Sequence, residues 1–117
     1  GIPIEAIEDI IDYEEIDEGL ARRGEFFGLR IKGNSMSPRI QNGDVVIVRV
    51  QPDADSGDIV ITKVNGYDAC CKRLQKHDDG ISLISLNPDY EPMFFSKNII
   101  DLPVNIIGKV VELRGKF

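Results

Sequence analysis

Ile59-Val60-Ile61-Thr62-Lys63-Val64-Asn65-Gly66-Tyr67-Asp68-Ala69-Cys70-Cys71-Lys72-Arg73-Leu74-Gln75 is the stretch that decides the fold. Its two flanks are apolar and rich in strand-forming side chains. An Asn-Gly pair between such runs favours a two-residue type I′ turn. The spacing therefore predicts that strand 59–64 folds back onto strand 67–75. Upstream, Gly43-Asp44-Val45-Val46-Ile47 and Gly57-Asp58-Ile59-Val60-Ile61 repeat one pattern, a Gly-Asp turn opening a buried-type strand. Phe26–Lys32 alternates and stops at Gly33. Downstream, His77-Asp78-Asp79-Gly80 reads as a turn and Ile81–Leu86 as a strand. Asn87-Pro88 and Glu91-Pro92 break the chain into a loop, and Ile106–Leu113 reads as a closing strand. Short strands with turns between them imply a small, mainly β domain built on a compact, strongly bent sheet.

The length of 117 residues suits one domain. With 42% hydrophobic and 29% charged residues the chain is neither disordered nor fibrous in type. The net charge of −6 is uneven: residues 1–25 hold 9 acidic and 2 basic side chains, and the rest is close to neutral. No clustered basic face is visible, which argues against direct contact with duplex DNA. Cys70 and Cys71 are adjacent, a poor arrangement for an ordinary disulfide. With a single histidine they also make a poor zinc set, so neither a metal nor another cofactor is expected, and a reduced, cytoplasmic setting is the default. No apolar run approaches the ~20 residues that a membrane span needs, and no signal peptide is visible. Residues 1–24 differ from the body at 25–117 and read as an arm. Ile4, Ile7 and Ile11 have helical spacing while Ile2 and Ile4 alternate like a strand, so the secondary structure of the arm stays open.

The sharpest local feature is Gly33-Asn34-Ser35-Met36-Ser37-Pro38. A glycine permits a tight turn after a strand and a serine follows at the tip. There the hydroxyl could act as a nucleophile, with the following backbone N–H groups facing a developing oxyanion; a plain polar turn before proline has the same pattern. The usual base for a serine is histidine. His77 is the only one and sits in an acidic turn, which argues against a Ser-His-Asp triad. Lysine is the other option. In strand 67–75 Lys72 shares a face with Cys70 and Leu74, and an amine on an apolar face loses hydration, which favours its neutral form. A neutral amine can take a serine proton. The ordinary alternative is a lysine that carries its ammonium out to water, and Lys63, across the hairpin, is a competing candidate.

Taken in order, these pieces resemble a known family. The matching segments are Gly33-Asn34-Ser35-Met36-Ser37-Pro38, Asn42-Gly43-Asp44-Val45-Val46-Ile47-Val48, Gly57-Asp58-Ile59-Val60, Cys71-Lys72-Arg73-Leu74, Leu86-Asn87-Pro88-Asp89-Tyr90 and Ile107-Gly108-Lys109-Val110-Val111. Over about residues 25–113 the chain resembles the catalytic domain of LexA and of phage repressors of the lambda-repressor kind. These are serine–lysine self-cleaving proteins related to signal peptidases and to UmuD. The resemblance implies a strongly bent β domain over 25–117 that is both peptidase and dimerisation unit. It implies Ser35 as nucleophile, Lys72 rather than Lys63 as general base, and the backbone N–H groups of Ser35 and Met36 as oxyanion donors.

In that family the scissile bond is typically Ala-Gly, and Gly1 aligns with the residue just after it, so the resemblance implies that the chain starts at the cleavage point. It further implies a homodimer and induction by a RecA–single-strand DNA filament or an antirepressor. DNA binding would occur only through an N-terminal helix-turn-helix domain outside this sequence. Rival readings are a UmuD-like polymerase accessory protein, a dimerisation module that does not cleave, and a signal peptidase, the last disfavoured because no membrane anchor is visible.

Overall fold

The computed structural model describes residues 9–11, 26–64, 68–97 and 104–115. Among these it contains eight strands and no helix: β1 (Asp9–Ile11), β2 (Phe26–Arg30), β3 (Val45–Val50), β4 (Ile59–Val64), β5 (Asp68–His77), β6 (Gly80–Ile84), β7 (Met93–Ser96) and β8 (Val104–Arg114). They form one antiparallel sheet in the order β1-β2-β3-β8-β4-β5-β6-β7. The mainly β fold expected from the sequence is what forms.

The β4–β5 hairpin pairs Ile59 with Arg73 through to Val64 with Asp68; the Asn65-Gly66 turn lies outside the described residues. The two Gly-Asp turns are built alike. Asp44 Oδ2 accepts the Gln41 N–H at 2.8 Å and Asp58 Oδ2 accepts the Asp55 N–H at 2.9 Å. Each aspartate also donates its own N–H to the carbonyl three residues back, so a short side chain closes each turn twice before the strand begins. Two elements differ from expectation. Met93–Ser96 forms β7 on the sheet edge, where the sequence read as loop, because pairing with β6 from Gly80↔Ser96 to Leu83↔Met93 supplies its order. Asp9–Ile11, in the arm segment left open, is a strand paired with β2; the rest of residues 1–24 lies outside the described residues.

β8 joins the two halves of the sheet. Its first part pairs with β4 and its second with β3, and the register shifts by one residue in each pairing. Such bulges bend a strand and raise its twist. Gly108 stands at the crossing, where an added Cβ would lie 2.4 Å from the Arg49 carbonyl oxygen. The β3–β8 approach is therefore open only to glycine at this position.

The strands bury side chains on both faces. Val46 and Val48 of β3 join Leu29, Ile31, Met36, Ile40, Ile61 and Cys71 in one cluster, while Val45 and Ile47 pack with Phe26 in another. A third cluster gathers Ala54, Val60, Val64, Cys70, Leu74, Leu83 and Val104. Cys71 and Cys70 thus belong to different clusters, so both faces of β5 are covered. That burial sets the environment of the residue between Cys71 and Arg73.

Candidate active site

The Ser35 turn is held between β2 and β3. Ile31 N–H donates to the Asp44 carbonyl and Gly43 N–H to the Ile31 carbonyl, both at 2.8 Å. These bonds tie the two ends of the loop together. Gly33 has φ 88°, a left-handed conformation that costs glycine little, and its N–H donates to Asn42 Oδ1 at 2.9 Å. Ser37 N–H donates to the Asn34 carbonyl at 3.1 Å and Ile40 N–H to the Met36 carbonyl at 2.9 Å. Met36 and Ile40 sink into the first cluster. The turn is therefore pinned from below by two apolar side chains, and Ser35 is only 3% exposed.

Lys72 rises from the middle of β5, opposite Val60. It is 1% exposed and is the largest fully buried side chain among the described residues. Its Nζ lies 2.7 Å from Ser35 Oγ, with the ring centroid of Tyr90 at 6.0 Å. An amine this deeply buried is not a side chain with its head in water, the ordinary alternative open from sequence. The difference arises because β5 is covered on both faces, not on one. Removal from water disfavours the ammonium relative to the neutral amine. The same burial pushes the neighbouring Cys71 thiol up to about 12, a rise that a positive charge on Lys72 would oppose and that Cys70 reinforces. That thiol is a core side chain and not a nucleophile.

The other candidates are elsewhere. Lys63 is exposed on β4. His77 is exposed at the end of β5, shares a 2.9 Å hydrogen bond with Ser82 and tilts against Phe94 at 5.9 Å. It has no part in the surroundings of Ser35. Gly1 lies outside the described residues. Among the described residues, no group of histidine, cysteine, aspartate and glutamate could hold a metal ion, and no helix is long and apolar enough to cross a membrane.

Sequence reasoning missed the loop after β6. Asn87 N–H donates to the Ser35 carbonyl at 2.9 Å, Asn87 Nδ2 donates to the Asn34 carbonyl at 2.9 Å, and Leu86 N–H approaches Met36 Sδ at 3.4 Å. Asn87-Pro88 read as a breaker and as part of the family-matching segment Leu86–Tyr90, and neither reading marks a contact made across about fifty residues. Chemically, the arrangement places one amine against one hydroxyl with little water between or around them. It can pass a proton from oxygen to nitrogen, and the backbone N–H groups of Ser35 and Met36 donate to no other described residue.

The peptidase S24-like family matches residues 1–111. The chain is 42% identical over 109 residues to the LexA repressor of Geobacter sp. (strain M21), covering 92% of this chain and 53% of that protein. It is 43% identical over 114 residues to LexA repressor 1 of Geobacter sulfurreducens, covering 97% and 55%. Identity to the LexA repressor of Lacticaseibacillus casei is 40% over 115 residues, covering 97% and 52%. The chain spans about half the length of the curated relatives it matches.

Proposed function

Since the chain belongs to the peptidase S24-like family, we propose that it is the self-cleaving and dimerising part of a LexA-like repressor, with Ser35 as nucleophile and Lys72 as general base. The observation that carries this reading is the 2.7 Å approach of Lys72 Nζ to Ser35 Oγ between two side chains almost wholly out of water.

In the proposed reaction the neutral Lys72 amine takes the Ser35 proton as Ser35 Oγ bonds to the carbonyl carbon of an upstream Ala-Gly bond. The carbonyl oxygen becomes an oxyanion beside the Ser35 and Met36 N–H groups. The C–N bond then breaks as the Lys72 ammonium returns its proton to the leaving amine. Water, deprotonated by Lys72, attacks the ester carbonyl; the acyl C–O bond then breaks as the Lys72 ammonium returns that proton to Ser35 Oγ. Attachment of the substrate segment to the enzyme replaces binding from solution, because a tethered group has a very high effective concentration.

Control would come from the arm, which brings the scissile bond to Ser35 only in some of its placements. A RecA–single-strand DNA filament, or an antirepressor, would favour the cleavable placement through differential affinity. Cleavage would separate the homodimerising part from an upstream helix-turn-helix part, weakening paired half-site binding and releasing repressed genes.

The test is alkaline incubation of a precursor that carries the upstream bond, followed on a gel. The wild type and Lys63→Ala should cut at similar rates, while Ser35→Ala and Lys72→Ala should stay intact though folded. Cutting at the ordinary rate in Lys72→Ala would refute the base assignment. A wild-type precursor that never cuts, with or without an inducing filament, would leave only the dimerisation module.

A further inference from the structure

A trans peptide unit is planar, and its C=O and N–H point in opposite directions. The Ser35 N–H shares a unit with the Asn34 carbonyl, and the Met36 N–H shares one with the Ser35 carbonyl. Whatever holds those two carbonyls therefore aims the two N–H groups that the proposed reaction uses. Both carbonyls are held by one residue. Asn87 Nδ2 donates to the Asn34 oxygen at 2.9 Å and the Asn87 backbone N–H donates to the Ser35 oxygen at 2.9 Å.

We infer that Asn87 is the positioning residue of the oxyanion site, orienting the Ser35 and Met36 N–H groups through the backs of their own peptide units. The inference rests on the serine–lysine reading above and adds to it a residue that touches neither the amine nor the hydroxyl.

Three features of the loop support the assignment. The Asn87 side chain is not free to turn, because its Oδ1 accepts the Asp89 N–H at 2.9 Å and so directs Nδ2 towards Asn34. The loop is closed on itself by Tyr90 N–H donating to the Asn87 carbonyl at 3.2 Å. Leu86 N–H meets Met36 Sδ at 3.4 Å, so the residue on each side of the Ser35 carbonyl is engaged from the same loop. The Asn34 oxygen also accepts the Ser37 N–H at 3.1 Å. That bond closes the turn but runs within it, whereas Asn87 ties the turn to the sheet beyond β6. A carbonyl that accepts hydrogen bonds also polarises its peptide unit, making the N–H on the other side a stronger donor.

Asn87→Ser is the informative variant. The serine hydroxyl can still cap the Asp89 N–H and adds no charge near Lys72, but it is too short to reach the Asn34 oxygen. Loss of a whole oxyanion donor costs about 10²–10³ in rate, so loss of aim at one of two donors should slow self-cleavage of the precursor about ten- to a hundredfold. The fall should be the same at every pH, leaving the midpoint of the rate–pH profile unchanged and lowering the melting temperature by no more than loss of one exposed hydrogen bond does, a few degrees at most. In the 15N-labelled chain the Ser35 amide resonance should move while amides in β3 and β4 stay in place.

Wild-type rate with an unmoved Ser35 resonance would overturn the inference. So would a slow variant whose profile midpoint shifts, since Asn87 would then act on the amine, and so would a loss explained by partial unfolding in the melt. A wild-type precursor that is never cut fails the serine–lysine reading itself, and this inference falls with it. A precursor stopped by Ser35→Ala and by Lys72→Ala but indifferent to Asn87→Ser fails the inference alone.

Discussion

Lys72→Met separates what a buried amine does for chemistry from what it does to stability. Methionine fills a similar elongated volume and carries no proton. In the folded chain Lys72 is 1% exposed, so its ammonium loses nearly all of its hydration. Replacing a buried ion pair by apolar residues of similar volume is often neutral or stabilising by about 1–4 kcal/mol, and an amine that must give up its hydration or its proton on folding carries a penalty of the same kind. Against this, Ser35 Oγ loses the partner now at 2.7 Å, at a cost of about 1 kcal/mol. The net expectation near pH 7 is a variant more stable by about 1–3 kcal/mol, or roughly 4 °C in Tm for each kcal/mol in a domain of this size. It should also be uncleaved, since general base catalysis contributes about 10²–10⁴ in rate.

The pH dependence has a definite sign. Burial weakens proton binding by Lys72 in the folded chain, whereas the unfolded chain binds that proton up to the ordinary lysine range. Between those two points the unfolded state holds more protons, and wild-type stability rises with pH. Lys72→Met lacks that rise, so its advantage should shrink as pH approaches about 10. Urea unfolding of both proteins at pH 7 and pH 10 measures the gap. A wild type at least as stable as Lys72→Met at pH 7, with no change in the gap at pH 10, would refute the reasoning, because the folded chain would then be holding a compensated ammonium.

Two further expectations follow from the sheet and its core. Gly108→Ala should lower stability by several kcal/mol, read as a fall in the urea midpoint, because the added Cβ meets the Arg49 carbonyl oxygen at 2.4 Å and Val48 Cγ1 at 2.6 Å; an unchanged midpoint would mean that β8 shifts freely. The two thiols should resist a disulfide reagent at pH 8 in the folded chain and both react in urea, since Cys70 and Cys71 are buried and Cys71 is pushed up to about 12; rapid reaction of either in the native state would contradict that burial.

The elements legible in the sequence were those specified by local pattern. Val45–Val50 and Ile59–Val64 are runs of β-branched residues behind Gly-Asp turns, and they form strands with those bounds. Met93–Ser96 was hidden because Glu91-Pro92 reads as a breaker and its strand character comes from pairing at the sheet edge. The insertion of β8 between β3 and β4 is a non-local pairing that no window of residues encodes, although glycine inside the run Ile106–Leu113 is the sort of signal that marks a close backbone approach. At the site, periodicity placed Lys72 on one apolar face, but only the fold covers both faces of β5. Ser35 and Lys72 stand 37 positions apart, and their pairing came from family resemblance and not from spacing. Asn87 lay in the family-matching segment Leu86–Tyr90, but nothing in the sequence said what it would contact.

The proposed chemistry requires Lys72 to be an uncharged amine at neutral pH. The Lys72 13Cε resonance of 13C-lysine-labelled protein, followed from pH 5 to pH 11 with Lys72→Met for assignment, reads that charge state. This resonance should report a neutral amine at pH values where the exposed lysines are still ammonium, and should titrate well before them. A Lys72 signal that stays with the ammonium group and titrates together with the surface lysines would contradict that requirement.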